Sequence, residues 1–365
     1  MDKINYLKVR KKTVDICRSL NEDEVSCQPV KEVSPPKWHL AHTTWFFEKV
    51  ILSKKLESYK PFNLEYDFYF NSYYKQGGKH IEQSQRGGIK VSVQEIQRYR
   101  QYVDKHMEEL FECEVSKDLS DLILIGLHHE QQHQEILHMD IKAIKNFYGK
   151  NTEIVFPEAI KNKKWFQIPE GIHECGHQGE SFAYDNEKPR HKSYIYSSLL
   201  KEELVRNIEY SEFINAGGYK DSKFWLSKGW EWVVSNEVSA PLYWNESLKP
   251  DAPVAHMSYF EAEAFARWSG FRLPTEFELE VFDQHKSCES PLWCWSSSQY
   301  EPYPRFKKLD GLLSEYNGKF MCNQFILRGG CFATPKNHWR PSYRNFYEPH
   351  QRWMFSGIRL AKDVQ

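Results

Sequence analysis

The stretch that decides the fold is LIGLHHEQQHQEILHMD, residues 124–140, in which four histidines stand among glutamates, glutamines and apolar residues. Apolar positions recur and no Gly or Pro interrupts residues 127–145, so the pattern predicts a helix over about 118–147. Residues four apart on a helix share a face, so His129 and His133 can point their imidazoles at one spot. Two imidazoles so placed suit a borderline metal ion such as zinc or iron(II).

The same letters match a zinc-hydrolase pattern. His129-Glu130-Gln131-Gln132-His133 reads as H-E-x-x-H, in which Glu130 would be the general base. The extended form with a third histidine is excluded, because Ile136 and Met139 occupy its glycine and histidine positions. A downstream ligand such as Glu153 or Glu158 stays open. A five-residue pattern is short, so a third ligand must be sought along the whole chain.

Composition limits the classes of function. The chain has 365 residues and a formal net charge of −1, so charge gives no reason to expect nucleic acid or an acidic membrane as a partner. No apolar run approaches the roughly 18 residues of a membrane span, and the N-terminus MDKINYLKVRKK has no apolar signal core. A cytoplasmic location is therefore expected. None of the eight cysteines forms a C-x-x-C pair, which disfavours a zinc ribbon or a thioredoxin-like motif.

The first 150 residues have a helical pattern. Helices are predicted at about 3–20, from Ser34-Pro35-Pro36 onward with Ser34 as the cap, at about 92–113 and at about 118–147. This pattern is typical of an up-and-down bundle. A long aromatic loop, residues 58–88, separates the second and third helices, and loops of this length are often functional.

From about residue 163 the regular helical period is lost. IPEGIHECG (168–176) and KSYIYSS (192–198) predict short strands, and only NIEYSEFINAG (207–217) and MSYFEAEAFARWSG (257–270) predict helices, each ended by glycine. The second half is therefore expected to be an α+β domain with little regular secondary structure.

The second helix supplies the third-ligand candidates His39 and His42, in SPPKWHLAHTTWFFE (34–48). At this point the chain resembles the non-haem iron sulfoxide synthases of ergothioneine biosynthesis. The resemblance extends over essentially the whole chain. It is carried by WHLAHTTWFFE, HHEQQHQE, FNSYY followed by QRGG, GFRLPTEFELE, WCWSSS, YNGKFMCNQFILRGG and RPSYRNFYEPHQRWMFSGIRLAKD.

The resemblance implies two domains and a metal. Residues 1–150 would form a DinB-like four-helix bundle that carries the iron site. Residues 163–365 would form a domain like the formylglycine-generating enzymes, of C-type-lectin type. The implied ligands of Fe(2+) are His42, His129 and His133. His42 is preferred to His39 because the family ligand directly precedes Thr-Thr-Trp, which leaves His39 and His128 as neighbouring helix residues without a role.

The family reaction joins a thiol to the imidazole C2 of hercynine (Nα-trimethylhistidine), consumes O2 and leaves a sulfoxide. The resemblance makes Tyr73 or Tyr74 a donor of a proton or hydrogen atom. Gln132, Asn345 and Phe346 would bind hercynine, with Phe346 against its trimethylammonium group.

The thiol is expected to be cysteine, with Arg86 at its carboxylate. Gln83 stands where a second arginine is expected, and Tyr347 stands where members that use γ-glutamylcysteine carry an acid. γ-Glutamylcysteine and another sulfur or selenium donor stay open as alternatives.

Three other functions are weighed. Formylglycine-generating enzymes bind copper through a cysteine pair, but Cys322 and Cys331 are interpreted here as structural. A zinc hydrolase that uses Glu130 and a non-catalytic binding module are the remaining alternatives.

Overall fold

A computed structural model describes residues 3–56, 58–72, 74, 78–114, 116–150, 164–245, 247–286, 290–309, 313–314 and 316–364. The chain divides into two compact units. Unit 1 comprises the described residues within Met1–Glu153, Leu309–Tyr316 and Ala333–His338. Unit 2 comprises those within Ile154–Lys308, Asn317–Phe332 and Trp339–Gln365. Two short segments of the second half of the sequence thus pack with the first half.

Unit 1 is helical. Its helices are α1 Lys3–Cys17, α2 Glu22–Ser26, α3 Pro36–Phe46, α4 Ser53–Lys55, α5 Tyr66–Tyr69, α6 Val93–Phe111 and α7 Lys117–Phe147. A π-helical turn, Phe47–Leu52, continues α3, and a 3-10 helix spans Gln83–Gly88. The four long helices lie where the sequence predicts them, and α1, α3, α6 and α7 pack together around aromatic and aliphatic side chains.

The start of α3 differs from the prediction. Ser34 does not cap the helix, since the N-cap is Pro35 and no side chain bonds there. The helix begins at Pro36, one residue later than a cap at Ser34 would require. Ser34 instead donates its own N–H to Asp140 on α7, 2.9 Å away, and accepts a hydrogen bond from Arg86.

A glycine allows α3 and α7 to approach closely. A Cβ added to Gly126 would lie 2.7 Å from Cε1 of Phe47 and 3.3 Å from Cε1 of Phe46. The approach occurs where α3 passes into its π-helical turn, a feature often found at functional sites. Gly126 therefore sets the spacing of the two helices that carry the candidate ligands.

Unit 2 combines helices with short strands. Its helices are α8 Asn207–Asn215, α9 Ser227–Ser235, α10 Tyr259–Trp268 and α11 Glu276–Lys286. Its strands are β1 Trp165–Ile168, β2 Gly171–Cys175, β3 His191–Ile195, β4 Ser198–Lys201, β5 Trp293–Gln299, β6 Phe325–Arg328, β7 Asn345–Tyr347, β8 Ser356–Gly357 and β9 Ala361–Asp363.

The strands form three small sheets with the orders β1-β4-β9, β2-β3 and β7-β6-β5-β8. β2 and β3 pair antiparallel, and both contain predicted strand residues. α8 and α10 confirm the two predicted helices. The expectation of only two helices is wrong, because α9 and α11 are also helical.

Candidate metal centre

Helices α3 and α7 bring three predicted ligands together. His42, His129 and His133 each offer one nitrogen within 4.8 Å of the others. Nε2 of His42 lies 3.1 Å from Nε2 of His129. The spacing of four residues on α7 places His129 and His133 on one face, as the sequence predicts. His42 and His129 are buried, while His133 is half-buried.

The three imidazoles are electrostatically suited to a cation. Burial, and then the neighbouring His129, lower the pKa of His42 well below its usual range. Burial lowers the pKa of His129 to about 3, and burial followed by His129 and His42 lowers that of His133. All three rings are therefore neutral near pH 7 and have lone pairs to offer. A neutral set of three imidazoles fits a divalent metal such as zinc or iron(II).

The loop 58–88 fixes the first of these rings. Nδ1 of His42 donates to the carbonyl oxygen of Phe70 at 2.6 Å, which leaves Nε2 with the lone pair. The ring also stacks on Trp38, with centroids 4.5 Å apart and planes 8° apart, and on Trp45 at 5.9 Å. His42 is thus held by one polar contact and two aromatic faces.

A second histidine on α3 supports His133. Nδ1 of His39 lies 2.8 Å from Nδ1 of His133, and Nε2 of His39 lies 2.8 Å from Oδ2 of Asp140. His39 therefore contacts both a candidate ligand and a buried carboxylate. The sequence alone does not indicate the contact between His39 and Asp140, because the two residues are distant in the chain.

Glu130 does not face the histidines as a catalytic base. Its Oε2 accepts from Arg10 at 2.9 Å, and its Oε1 accepts from Thr13 at 2.6 Å and from Arg100 at 2.9 Å. Burial alone would raise the pKa of Glu130, but the charges of Arg10 and Arg100 outweigh it and lower the pKa to about 2. A carboxylate so acidic and so fully bonded is a poor proton acceptor, which argues against the zinc-hydrolase alternative.

Gln132 meets a residue that sequence reasoning did not single out. The hydroxyl of Tyr316 donates to Oε1 of Gln132, and the Tyr316 ring lies 5.9 Å from the ring of His129. Tyr316 is buried and belongs to unit 1. Its only signal in the sequence is that it opens the motif YNGKFMCNQFILRGG.

The other late segment of unit 1, Ala333–His338, binds α7 beside the ligands. Nδ1 of His338 lies 2.8 Å from Nδ1 of His128, and Nε2 of Gln131 donates to Asn337 at 2.7 Å. Thr334 donates to Glu135 at 2.5 Å. His128 is thus also more than a neighbouring helix residue, since it contributes to this contact.

Arg86 contacts an aromatic neighbour of the candidate ligand His42. Its guanidinium carbon is 3.5 Å from the centroid of Trp38, and the Trp38 ring also stacks on the ring of His42. One guanidinium nitrogen donates to Oγ of Ser34 at 2.8 Å. The positive charge of Arg86 contributes to the lowered pKa values of His42 and His133. The charge of Arg86 therefore acts on two of the three histidines, His42 and His133.

Of the two candidate tyrosines, Tyr73 lies outside the described residues. Tyr74 is buried, and Asn71 holds its backbone by accepting from its N–H at 3.0 Å and donating to its carbonyl at 2.9 Å. The Tyr74 ring lies 5.8 Å from Trp45, which stacks on His42. Tyr74 thus belongs to the aromatic layer around the first ligand.

Asn345 and Phe346 lie on β7 in unit 2. Oδ1 of Asn345 accepts from the N–H of Phe346 at 2.9 Å. Phe346 stacks on Tyr300 with centroids 4.0 Å apart. Their role as substrate contacts stays a prediction.

The described cysteines of unit 2 do not belong to a group of three or more potential metal ligands. Cys331 is buried and Cys322 is exposed. In the described ranges, the histidine group on α3 and α7 is the one cluster of three or more potential ligands.

None of the helices in the described ranges is both long and apolar enough to cross a bilayer.

Two different family models match the N-terminal and the C-terminal parts of the chain. Residues 5–137 match the DinB superfamily, and residues 152–282 match the sulfatase-modifying factor enzyme 1-like domain. The predicted α+β architecture of a DinB-like bundle and a formylglycine-generating-enzyme-like domain is thereby confirmed.

Three relatives with similar sequences have names that refer to hercynine or to ergothioneine biosynthesis. The hercynine oxygenase of Mycolicibacterium thermoresistibile is 29% identical over 252 residues, 51% of this chain and 55% of the relative. That of Mycolicibacterium smegmatis is 30% identical over 252 residues, 51% of this chain and 57% of the relative. Ergothioneine biosynthesis protein 1 of Schizosaccharomyces pombe is 29% identical over 223 residues, 50% of this chain and 28% of the relative. The matched region thus spans a little over half the length of the two hercynine oxygenases.

Proposed function

We propose, on the premise that this chain is a relative of the hercynine oxygenases of ergothioneine biosynthesis, that it is an oxygen-dependent iron(II) sulfoxide synthase. It would join the imidazole C2 of hercynine to the sulfur of a thiol, with cysteine as the thiol. The observation that carries the proposal is the cluster of three neutral imidazoles, His42, His129 and His133, in the DinB-type unit.

The overall reaction balances with O2 as the oxidant. The C2–H and S–H bonds are lost, a C–S bond forms, one oxygen atom becomes the sulfoxide oxygen, and the other leaves as water. Bound iron(II), held by the three histidines, would supply the redox chemistry with O2 and a place for the thiolate. Three protein ligands leave coordination positions for small molecules.

The protein's own groups orient the two substrates. Arg86, which contacts Trp38 and Ser34, would bind the carboxylate of the thiol substrate by donating charge-assisted hydrogen bonds to it. Gln132, whose amide oxygen already binds Tyr316, would contact the imidazole of hercynine. Phe346 would offer an aromatic face to the trimethylammonium group. Holding C2 against sulfur in this way lowers the entropic part of the barrier.

A phenol completes the set. Tyr73 or Tyr74 would deliver a proton or hydrogen atom during the reaction. The support for Tyr74 is its burial in the aromatic layer that surrounds His42. Exclusion of water around the Tyr74 phenol would strengthen a hydrogen bond that the phenol donates.

The test combines a metal analysis with oxygen uptake. The full chain, loaded with iron(II) under nitrogen, is mixed with hercynine and cysteine in an oxygen electrode, and the product is identified by mass spectrometry. We expect uptake that requires both substrates and a product mass equal to the sum of both plus one oxygen minus two hydrogens. Zinc at equal stoichiometry with no uptake would refute the proposal. Unchanged uptake on loss of His129 would favour a non-catalytic metal centre.

A further inference from the structure

We propose that His39 and Asp140 form a positioning chain that fixes His133 in the tautomer whose Nε2 can bind a metal ion. The proposal rests on the metal-binding part of the proposed function. It starts from a continuous series of contacts, in which Asp140 meets Nε2 of His39 at 2.8 Å and Nδ1 of His39 meets Nδ1 of His133 at 2.8 Å.

With His39 neutral and Asp140 ionised, the protons in this series have one consistent arrangement. A carboxylate has only acceptor oxygens, so Nε2 of His39 must carry the proton that it shares with Asp140. A neutral His39 then has its lone pair on Nδ1. The 2.8 Å contact to His133 therefore takes its proton from Nδ1 of His133, which leaves Nε2 of His133 with a lone pair. The reverse arrangement would protonate Nε2 of His133 and place two acceptors against each other at Asp140.

Burial makes the arrangement rigid. His39 is 1% exposed and Asp140 is 0% exposed. Oδ2 of Asp140 also accepts the N–H of Ser34 at 2.9 Å, so two donors converge on one oxygen. His39 belongs to α3, whereas Asp140 and His133 belong to α7. The chain therefore couples the orientation of the ligand to the packing of the two helices that form the centre.

The three ligands are not supported alike. His42 donates to the carbonyl of Phe70, a single backbone acceptor. Nδ1 of His129 has no hydrogen-bond partner within the described part of the chain. His133 alone is linked through a second imidazole to a carboxylate. Partners of this kind fix the tautomer of a metal ligand and raise its basicity, and their loss typically weakens metal binding by about 10–100-fold.

The test uses the full chain with cobalt(II) and zinc(II) as probes. Cobalt(II) affinity is measured by competition with a chromophoric chelator, and the ring nitrogens are observed by long-range ¹H–¹⁵N correlation spectra of the zinc(II)-loaded, ¹⁵N-histidine-labelled protein. The variants are His39→Leu, which removes both contacts, and His39→Gln, whose amide offers one acceptor and one donor. His138→Leu, the same substitution at a half-buried position on α7, is the matched control.

We expect His39→Leu to bind cobalt(II) about 10–100-fold more weakly, His39→Gln to recover most of the affinity, and His138→Leu to behave as the wild type. The wild-type spectrum should show His133 protonated at Nδ1 and His39 protonated at Nε2. Protonation of His39 at Nδ1 in the wild type would overturn the proposal without any variant. An equal loss in His39→Leu and His138→Leu would also overturn it. Absence of metal binding by the wild type would instead refute the proposed function, and the tautomer of the metal-free protein would still decide this inference.

Discussion

Tyr316 donates its hydroxyl hydrogen bond to Oε1 of Gln132, the residue directly before His133, although 184 positions separate the two in the chain. The phenol thereby fixes which way the Gln132 amide points, because an accepting oxygen must face Tyr316 and the amide N–H groups must face elsewhere. Under the proposed function, this amide would contact the imidazole of hercynine. A late segment of the chain thus prepares a residue of the N-terminal helical unit for its proposed substrate.

Replacing Tyr316 with phenylalanine removes the hydroxyl that orients the Gln132 amide, so it should weaken the binding of hercynine. A single neutral hydrogen bond contributes about 1 kcal/mol, so we expect the KM for hercynine to rise about fivefold while iron content stays unchanged. Steady-state oxygen uptake against hercynine concentration measures the effect. Tyr196→Phe, at a tyrosine that is 74% exposed, is the control. Equal KM values in the two variants would contradict the role given to Tyr316.

The helices and the ligand pair could be predicted because each rests on local pattern. The spacing of His129 and His133 and the apolar period of α7 are written in consecutive residues. Tyr316, Asp140 and the segment Ala333–His338 could not be placed, because their contacts depend on how distant parts of the chain pack. The prediction of Ser34 as a cap was wrong, and its N–H and hydroxyl instead meet Asp140 and Arg86, which are distant in the chain.

Alanine at position 42 should abolish metal retention. His42 is one of only three nitrogens in the cluster, and its loss leaves two, which is too few for tight binding of a borderline metal. Iron per chain, measured by mass spectrometry of the metal after desalting, should fall to background while circular dichroism stays helical. His138→Ala is the control. Full iron content and turnover in His42→Ala would show that the ligand assignment is wrong.

Glutamine at position 130 should reduce stability without removing the metal. Its carboxylate meets Arg10 and Arg100 in the buried interior, and removing one partner of a buried ion pair costs about 3–5 kcal/mol. We expect a lower free energy of unfolding in urea and an unchanged iron content. Glu109→Gln, at an exposed position, is the control. Loss of turnover with unchanged stability would instead support a catalytic Glu130.

The same residue predicts a pH dependence. The pKa of Glu130 falls from 4.5 to about 2 on folding. The unfolded chain therefore binds a proton first as the pH falls, so this group stabilises the fold fully above pH 4.5 and loses that effect as the pH approaches 2. The free energy of unfolding of the wild type should decline more steeply across this window than that of Glu130→Gln. Parallel slopes would mean that the ion pairs with Arg10 and Arg100 are absent in solution.

Phenylalanine at position 73 or 74 should change the product. Without the phenol, the proposed donor of a proton or hydrogen atom is lost, so less C–S bond should form and more thiol should be oxidised directly. The ratio of coupled product to oxidised thiol, read by mass spectrometry, measures this, and the phenol-free variant of the other position is the internal control. An unchanged ratio and rate in both variants would remove the tyrosines from the mechanism.

The thiol that the protein would accept as substrate depends on how many charged side chains can bind the charged groups of that thiol. Gln83, which stands where a second arginine is expected, donates its amide to the carbonyl of Glu32 at 2.8 Å in an exposed position. An amide bound in this way cannot replace a guanidinium that grips a carboxylate with two charge-assisted bonds. Arg86, which contacts Trp38, remains as the cation that we propose binds one carboxylate.

Cysteine carries one carboxylate, whereas γ-glutamylcysteine carries two and a remote ammonium group. The resemblance to the sulfoxide synthases implies that Tyr347 stands where members using γ-glutamylcysteine carry an acid. We therefore expect a higher kcat/KM for cysteine than for γ-glutamylcysteine when both compete for hercynine and O2, with products resolved by mass spectrometry. Arg86→Lys keeps the charge but loses the planar fork, so it should raise the KM for cysteine more than that for hercynine. Preference for γ-glutamylcysteine would show that a second carboxylate site exists, and negligible turnover with either thiol would point to a sulfur or selenium donor of lower charge.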